Sequence, residues 1–296
     1  MKIHHPLFVF LLLGLLLLSV AAGTAGQGSS SNAASQNYLP ILLKPQPELP
    51  AAAVRWSDKP AFDRCNPPSL SQMQTWWDQS PYWSVGIYLG GVSYPSGCDN
   101  SALTAAWVAE ANRQGWSFIP IWVGPQSYCY YNKPIAPERL HKVMSLEIGA
   151  AYQQGIGEAN LAFAAAARLG LTGKIGSPGL IYYDLEAYNY PGEPIAECRA
   201  AAQAFMYGWT VRLHELGSKA GAYGSGCSTY VYDWNALPVA LDNVWLASWY
   251  KIDGQYQYDP NATVWNALCV SNDLWANRQR LRQYAGGHDE TWGAFA

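Results

Sequence analysis

The 296-residue chain carries a net charge of −3 with only 13% charged residues, which excludes the basic face an electrostatic nucleic-acid partner requires. Six cysteines without close Cys-x-x-Cys spacing argue against a metal site, and no Gly-rich phosphate loop is present, so neither metal nor cofactor is expected. Trp (14) and Tyr (20) are abundant; most such rings fill cores, and the rest have the flat faces and polar edges that stack on sugars.

Lys2, His4 and His5 precede an apolar run from Leu7 to Ala22, and small residues follow through Gly26. A charged start, a short apolar middle and a small-residue exit predict an export signal over residues 1–25. The run falls short of the roughly 20 residues that span a bilayer comfortably. No stable membrane insertion of the mature chain is therefore expected, and the protein is read as secreted, extracellular or cell-wall associated. Residues 26–53, rich in Gly, Ser, Asn, Gln and then Pro, bury too little apolar surface to order themselves and read as a flexible linker. Residues 54–296 approach the roughly 250 typical of an eight-stranded β/α barrel. An even number of cysteines in an exported chain predicts disulfides, with Cys98–Cys129, Cys65–Cys198 and Cys227–Cys269 as the expected pairing.

Along the domain, short apolar strands alternate with helical stretches, the rhythm of a parallel sheet wrapped by helices. A strand at Ala61–Asp63 is followed by a helix from Ser69 to Trp77. A second strand, Ser84–Leu89, leads to a helix over Leu103–Gln114 that Gly115 stops. The third strand, Phe118–Gly124, contains Pro120, which weakens it as a central strand. After a loop carrying Tyr128, Cys129, Tyr130 and Tyr131, the Ala-rich segment Gly157–Leu169 predicts a helix. Leu180–Glu186 is the fourth strand, followed by a helix over Pro194–Leu216. Ala220–Gly224 and Val244–Tyr250 are the fifth and sixth strands, Ala262–Trp265 a seventh and Leu281–Tyr284 the eighth. The predicted fold is an α/β protein, a (β/α)8 TIM-like barrel of glycoside hydrolase type behind a signal peptide and linker, and a monomer.

Chemistry concentrates in Tyr182-Tyr183-Asp184-Leu185-Glu186-Ala187-Tyr188. Residues two apart in a strand share a face, so Tyr182, Asp184 and Glu186 are expected to point into the barrel and Tyr183 and Leu185 toward the helices. The C-terminal end of a barrel strand is where this fold builds active sites, and Asp63 would face the same mouth. A carboxylate pair suits glycosidic bond cleavage: one acid protonates the leaving oxygen while an anion stabilises the cationic sugar. Glu186 is the expected acid, because Asp184 and Asp63 would raise its proton affinity by like-charge repulsion. The alternatives are that Asp184 and Glu186 form a buried salt bridge with Arg64 or simply anchor loops, and that the chain is a catalytically inactive glycan-binding module on the same barrel.

From about Phe62 to Phe295 the chain resembles a bacterial glycoside-hydrolase-like domain family, long of unknown function and distantly related to the family 25 lysozymes. The segments that carry the resemblance are Phe62-Asp63-Arg64-Cys65 with Pro67, Val85 to Gly91, Leu103 to Trp107 and Pro120 to Gly124 with Gln126. Tyr183 to Tyr188, Gly221 to Tyr223, Trp245 to Ala247 and Arg282 to Tyr284 continue it in order. The resemblance implies a (β/α)8 barrel acting on a polysaccharide or peptidoglycan-type glycan, with Asp63, Asp184 and Glu186 matching the lysozymes' acidic cluster. Tyr223, Gln283 and Tyr284 would line the mouth, and Tyr88, Trp122, Gln126, Tyr182, Tyr188 and Trp249 join them as expected substrate contacts. One position departs: the lysozymes carry a further Asp around strand six, where this chain has Ser248, with Asp253 the nearest carboxylate.

Overall fold

The fold is described from a computed structural model of the chain, which divides into two compact units, residues 1–46 and 47–296. The structure describes residues 60–131, 135–172, 179–188, 195–252, 255–257, 261–285 and 289–293, all within the second unit. The expected signal peptide and linker lie outside the described residues. No helix among the described residues is long and apolar enough to cross a membrane.

The chain runs β1 (Pro60–Arg64), α1 (Leu70–Gln79), β2 (Ser84–Gly90), α2 (Ala105–Gln114), β3 (Ser117–Trp122), α3 (Ile148–Arg168), β4 (Leu180–Asp184) and α4 (Ile195–Glu215). It continues through β5 (Lys219–Ser225), α5 (Thr229–Trp234), β6 (Asn243–Ala247), the hairpin β7 (Tyr250–Ile252) and β8 (Gln255–Gln257), then β9 (Arg280–Ala285) and β10 (Asp289–Gly293). Ser69 opens α1 with a reciprocal box, its hydroxyl accepting from the Gln72 backbone while the Gln72 side chain accepts from Ser69 N–H.

Seven strands, in the order β9-β6-β5-β4-β3-β2-β1, form a curled parallel sheet. The eighth, β10, pairs antiparallel with both β1 and β9 and closes the ring. The architecture is thus an α/β TIM-like barrel, but the expected eightfold repetition stops after β6. Ala262–Trp265, read as a seventh strand, lies in turns, and Leu281–Tyr284, read as the eighth, sits in the seventh parallel strand. Two buried arginines on β9 account for this. Arg280 donates to the carbonyls of Leu274 (2.7 Å), Val264 (3.1 Å) and Ser271, and lies over the Trp265 ring. Arg282 donates to the carbonyls of Ser248 (2.9 Å) and Thr263 (3.1 Å). These guanidinium forks satisfy the backbone acceptors that a β/α unit would otherwise satisfy internally.

Pro120 does stand in β3. Pairing with β2 runs the length of the strand, whereas pairing with β4 begins only beyond the proline, at Ile121 with Tyr182 and Trp122 with Tyr183.

Strand alternation sorts side chains into two layers. Ala61, Ile119, Ile121, Val123, Leu180, Tyr182, Trp245 and Leu281 fill the barrel, while Phe62, Val85, Ile87, Tyr183, Leu185, Val244 and Leu246 face the helices. Helices α3 and α4 pack closely enough that a Cβ on Gly155 would fall 2.0 Å from the Phe205 carbonyl oxygen, and one on Gly208 2.2 Å from that of Tyr152. Gly155→Ala must therefore part the two backbones. A cost of about 2 kcal/mol is expected, the ordinary scale for overpacking, read as a lowered midpoint in thermal unfolding. An unchanged midpoint would mean that the helices have slack at this contact. Gly155 also bears on why α3 begins at Ile148 instead of the expected Gly157: it reads as a helix breaker in sequence, yet the close packing against α4 requires it.

All six cysteines are paired, as Cys65–Cys98, Cys129–Cys198 and Cys227–Cys269. Only the last matches the expectation. The first bond joins the loops after neighbouring strands β1 and β2. The second ties the segment after β3 to α4, which follows neighbouring β4. Sequence separation gave no access to that adjacency.

Candidate functional site

The seven parallel strands each deliver one side chain to a shared cleft. These are Asp63 from β1, Tyr88 from β2, Ile121 from β3, Asp184 from β4, Tyr223 from β5, Trp245 from β6 and Gln283 from β9. With Glu186 and Trp249, just past β4 and β6, they enclose a cleft of about 160 Å³. The neighbour of Asp63 on β2 is Gly86, where a Cβ would fall 2.4 Å from the Asp63 Cβ. Glycine there leaves the carboxylate room to turn inward.

Hydrogen bonds order one wall. The Trp249 indole N–H donates to Gln283 Oε1 at 3.0 Å, and the Tyr223 hydroxyl donates to the same oxygen at 2.9 Å. An indole N–H can only donate, so the amide is fixed with its carbonyl toward Trp249 and its NH2 toward Asp63. Gln283 Nε2 donates to Asp63 Oδ2 at 3.1 Å and the Tyr88 hydroxyl to Asp63 Oδ1 at 3.2 Å, so both carboxylate oxygens act as acceptors. Asp63 and Asp184 are 4% and 7% exposed, whereas Glu186 is open to solvent. Of the three carboxyls, Glu186 is the one a bound molecule reaches first. Arg64 does not pair with them across the barrel: it is exposed, with its guanidinium 5.7 Å from the Trp76 ring centre.

Five of the remaining expected contacts stand elsewhere. Trp122 faces the helices and donates its indole N–H to Glu158 at 2.6 Å. Glu158 keeps its proton more tightly than an ordinary glutamate because burial outweighs that bond. Tyr182 forms the floor beneath the cleft, its hydroxyl donating to Asn243 Oδ1 at 2.8 Å and its ring meeting Trp245 edge-on. Tyr188 is buried in the helix-facing core, stacked on Tyr230. Tyr284 is buried and, one residue after Gln283, belongs to the opposite face of β9. Gln126 does not line the cleft; it donates to the Asp184 carbonyl at 2.8 Å and accepts from Glu186 N–H at 2.9 Å. Ser248 is buried, its hydroxyl accepting from Leu268 N–H at 2.9 Å, and Asp253 lies outside the described residues. Ile121 and Trp245 line the cleft without having been expected to; two-residue alternation along their strands was the available signal. Among the described residues, no group of three or more His, Cys, Asp and Glu is placed to hold a metal ion.

Several buried phenols are held neutral. Tyr182, Tyr183 and Tyr223 keep their protons well above the ordinary value of 10.0, first because burial removes water from the phenolate. At Tyr223 the charges of Asp184, Glu186 and Asp63 add to this, so its hydroxyl serves as a donor. From pH 10 upward the unfolded chain gives up phenol protons that the folded chain retains, so unfolding releases protons and stability falls as pH rises. Each phenol contributes up to about 1.4 kcal/mol per pH unit in that window. Urea unfolding at about pH 9 and about pH 11, on either side of the ordinary phenol range, is expected to show the loss. Equal stability at both would contradict the burial of these groups.

A family model described as "Rv2525c-like, glycoside hydrolase-like domain" matches residues 74–296. The chain belongs to this family. The Rv2525c-like match runs from within α1 through β10 and so includes every cleft residue except Asp63. Among solved structures, a crystal structure of an uncharacterized B. stearothermophilus protein is 16% identical, covering 79% of this chain and 95% of that one, with a TM-score of 0.47. A xylose isomerase-like TIM barrel/4-hydroxyphenylpyruvate dioxygenase fusion protein is 11% identical over 63% of this chain and 26% of its own, with a TM-score of 0.36. No curated protein matches the chain.

Proposed function

We propose that this protein is a secreted glycoside hydrolase acting on a cell-wall or extracellular polysaccharide, peptidoglycan-type glycans included. One observation carries the reading: Asp63, Asp184 and Glu186 converge with Tyr88, Tyr223, Trp245 and Trp249 on one cleft at the C-terminal ends of the strands. Aromatic faces bind sugar rings, and the carboxyls supply acid and charge. Glu186, the exposed member, protonates the glycosidic oxygen as the bond breaks. Asp184 and Asp63, both buried, stabilise the positive charge that develops on the sugar. Export by residues 1–25 and a tether over 26–53 complete the reading, in keeping with three disulfides. The working form is a monomer without cofactor.

Reducing-end release from a panel of polysaccharides tests it. The wild type is expected to liberate reducing sugar from at least one; none from any would leave the second reading. That reading is a glycan-binding module, and Ser248 favours it, since its engaged hydroxyl stands just past β6, around where the lysozymes this chain resembles place another carboxylate.

A further inference from the structure

Gln126 is 2% exposed and lies in no regular strand. A buried amide must find partners at both ends, and its partners here are specific. Its backbone is fixed first: its N–H donates to Lys142 C=O at 2.9 Å and its C=O accepts from Met144 N–H at 2.8 Å, flanking a parallel bridge to Val143. The residue before it is held as well, because the Tyr183 hydroxyl donates to Pro125 C=O at 2.6 Å.

From this anchored base the side chain reaches the end of β4. Backbone pairing between β3 and β4 ends at Trp122 with Tyr183. Beyond it, Gln126 Nε2 donates to Asp184 C=O and Oε1 accepts from Glu186 N–H. A primary amide offers the same donor and acceptor as a peptide group, so Gln126 adds one more rung to the ladder. On the opposite side, Leu185 N–H donates to Tyr223 C=O at 3.1 Å, and Leu185 C=O accepts from the Tyr230 hydroxyl at 3.2 Å. The segment carrying Asp184 and Glu186 is thus gripped on its two edges, and Gln126 grips it on the β3 edge.

We infer that Gln126 is a positioning residue, which sets the direction in which the Glu186 carboxyl enters the cleft without itself contacting what binds there. The inference rests on the reading of Glu186 as the acid. Two substitutions and two measurements test it. Gln126→Met keeps the length and removes both bonds; Gln126→Glu keeps an acceptor for Glu186 N–H and loses the donor to Asp184. Amide hydrogen exchange is followed at Glu186 and, as an internal reference, at Tyr183 within β4. Reducing-end kinetics use a polysaccharide the wild type cleaves.

In Gln126→Met, exchange at Glu186 should accelerate about 10-fold, the scale of one lost hydrogen bond, with Tyr183 unchanged. A displaced acid should lower kcat about 100-fold, with KM hardly moved, because no ground-state contact is lost. Gln126→Glu should keep Glu186 protected and recover part of kcat. Unchanged Glu186 exchange in Gln126→Met, or a fall in kcat that only tracks lost thermal stability, overturns the assignment. Should Gln126→Met fail to fold, accelerated Glu186 exchange in Gln126→Glu with kcat still at the wild-type level overturns it equally, because the segment would then be released without loss of catalysis. If the wild type cleaves nothing, the hydrolase reading has failed, and the exchange comparison alone decides whether Gln126 holds this segment.

Discussion

Glu186→Gln is expected to fold as the wild type does and to release almost no reducing sugar from any polysaccharide the wild type cleaves. The side chain is exposed at the cleft, so an isosteric amide disturbs no packing. The bond from Gln126 goes to the Glu186 backbone N–H and survives the change. Only the acidic proton is lost, and general acid catalysis contributes roughly 100- to 10,000-fold. A fall of that size in kcat, with unfolding midpoint and glycan affinity nearly unchanged, identifies Glu186 as the acid. Full residual hydrolysis would remove it from that role. A binding module would instead show a modest change in affinity and no released sugar in either form.

The second large effect concerns the bond between Cys129 and Cys198. Both half-cystines are fully buried, and the bond closes 69 residues of sequence between the segment after β3 and α4. Replacing both with alanine should cost about 4 kcal/mol by loop-closure entropy. For a domain of this size that corresponds to a midpoint lower by about 10 °C. Thermal unfolding of the double variant, beside the oxidised and reduced wild type, measures it. A double variant as stable as the oxidised protein would mean that packing alone secures this segment. Because loop entropy grows only logarithmically, the shorter Cys65–Cys98 and Cys227–Cys269 closures should contribute nearly as much each.

The central strand was readable because its two faces differ in chemistry. Tyr182-Tyr183-Asp184-Leu185-Glu186 alternates, and the alternation alone placed Tyr183 and Leu185 against the helices and Asp184 and Glu186 on the cleft. The same rule would have sent Trp122 and Tyr284 outward, had it been weighed above the affinity of aromatic rings for sugars. The alternation persists two residues past the end of β4, to Glu186, but not as far as Tyr188. The turn structure of Ala262–Trp265 was not legible at all. Its composition suits a strand, and the partners of its carbonyls are a pair of guanidiniums on a strand that comes later in the sequence. The cysteine pairing was hidden for a related reason. Six cysteines allow 15 pairings, and the choice is made by which loops the barrel brings side by side. The start of α3 was missed because Gly155, which looks like a breaker, serves a helix–helix contact instead.

The direction of β10 has a practical outcome. Because it descends between two ascending neighbours, with Trp292 opposite Pro60, the barrel's first and last strands start and finish on one rim. The carboxylates open on the other. A tag or fused partner joined directly at either strand end would therefore leave from the underside, and the immobilised protein would present its cleft to the medium.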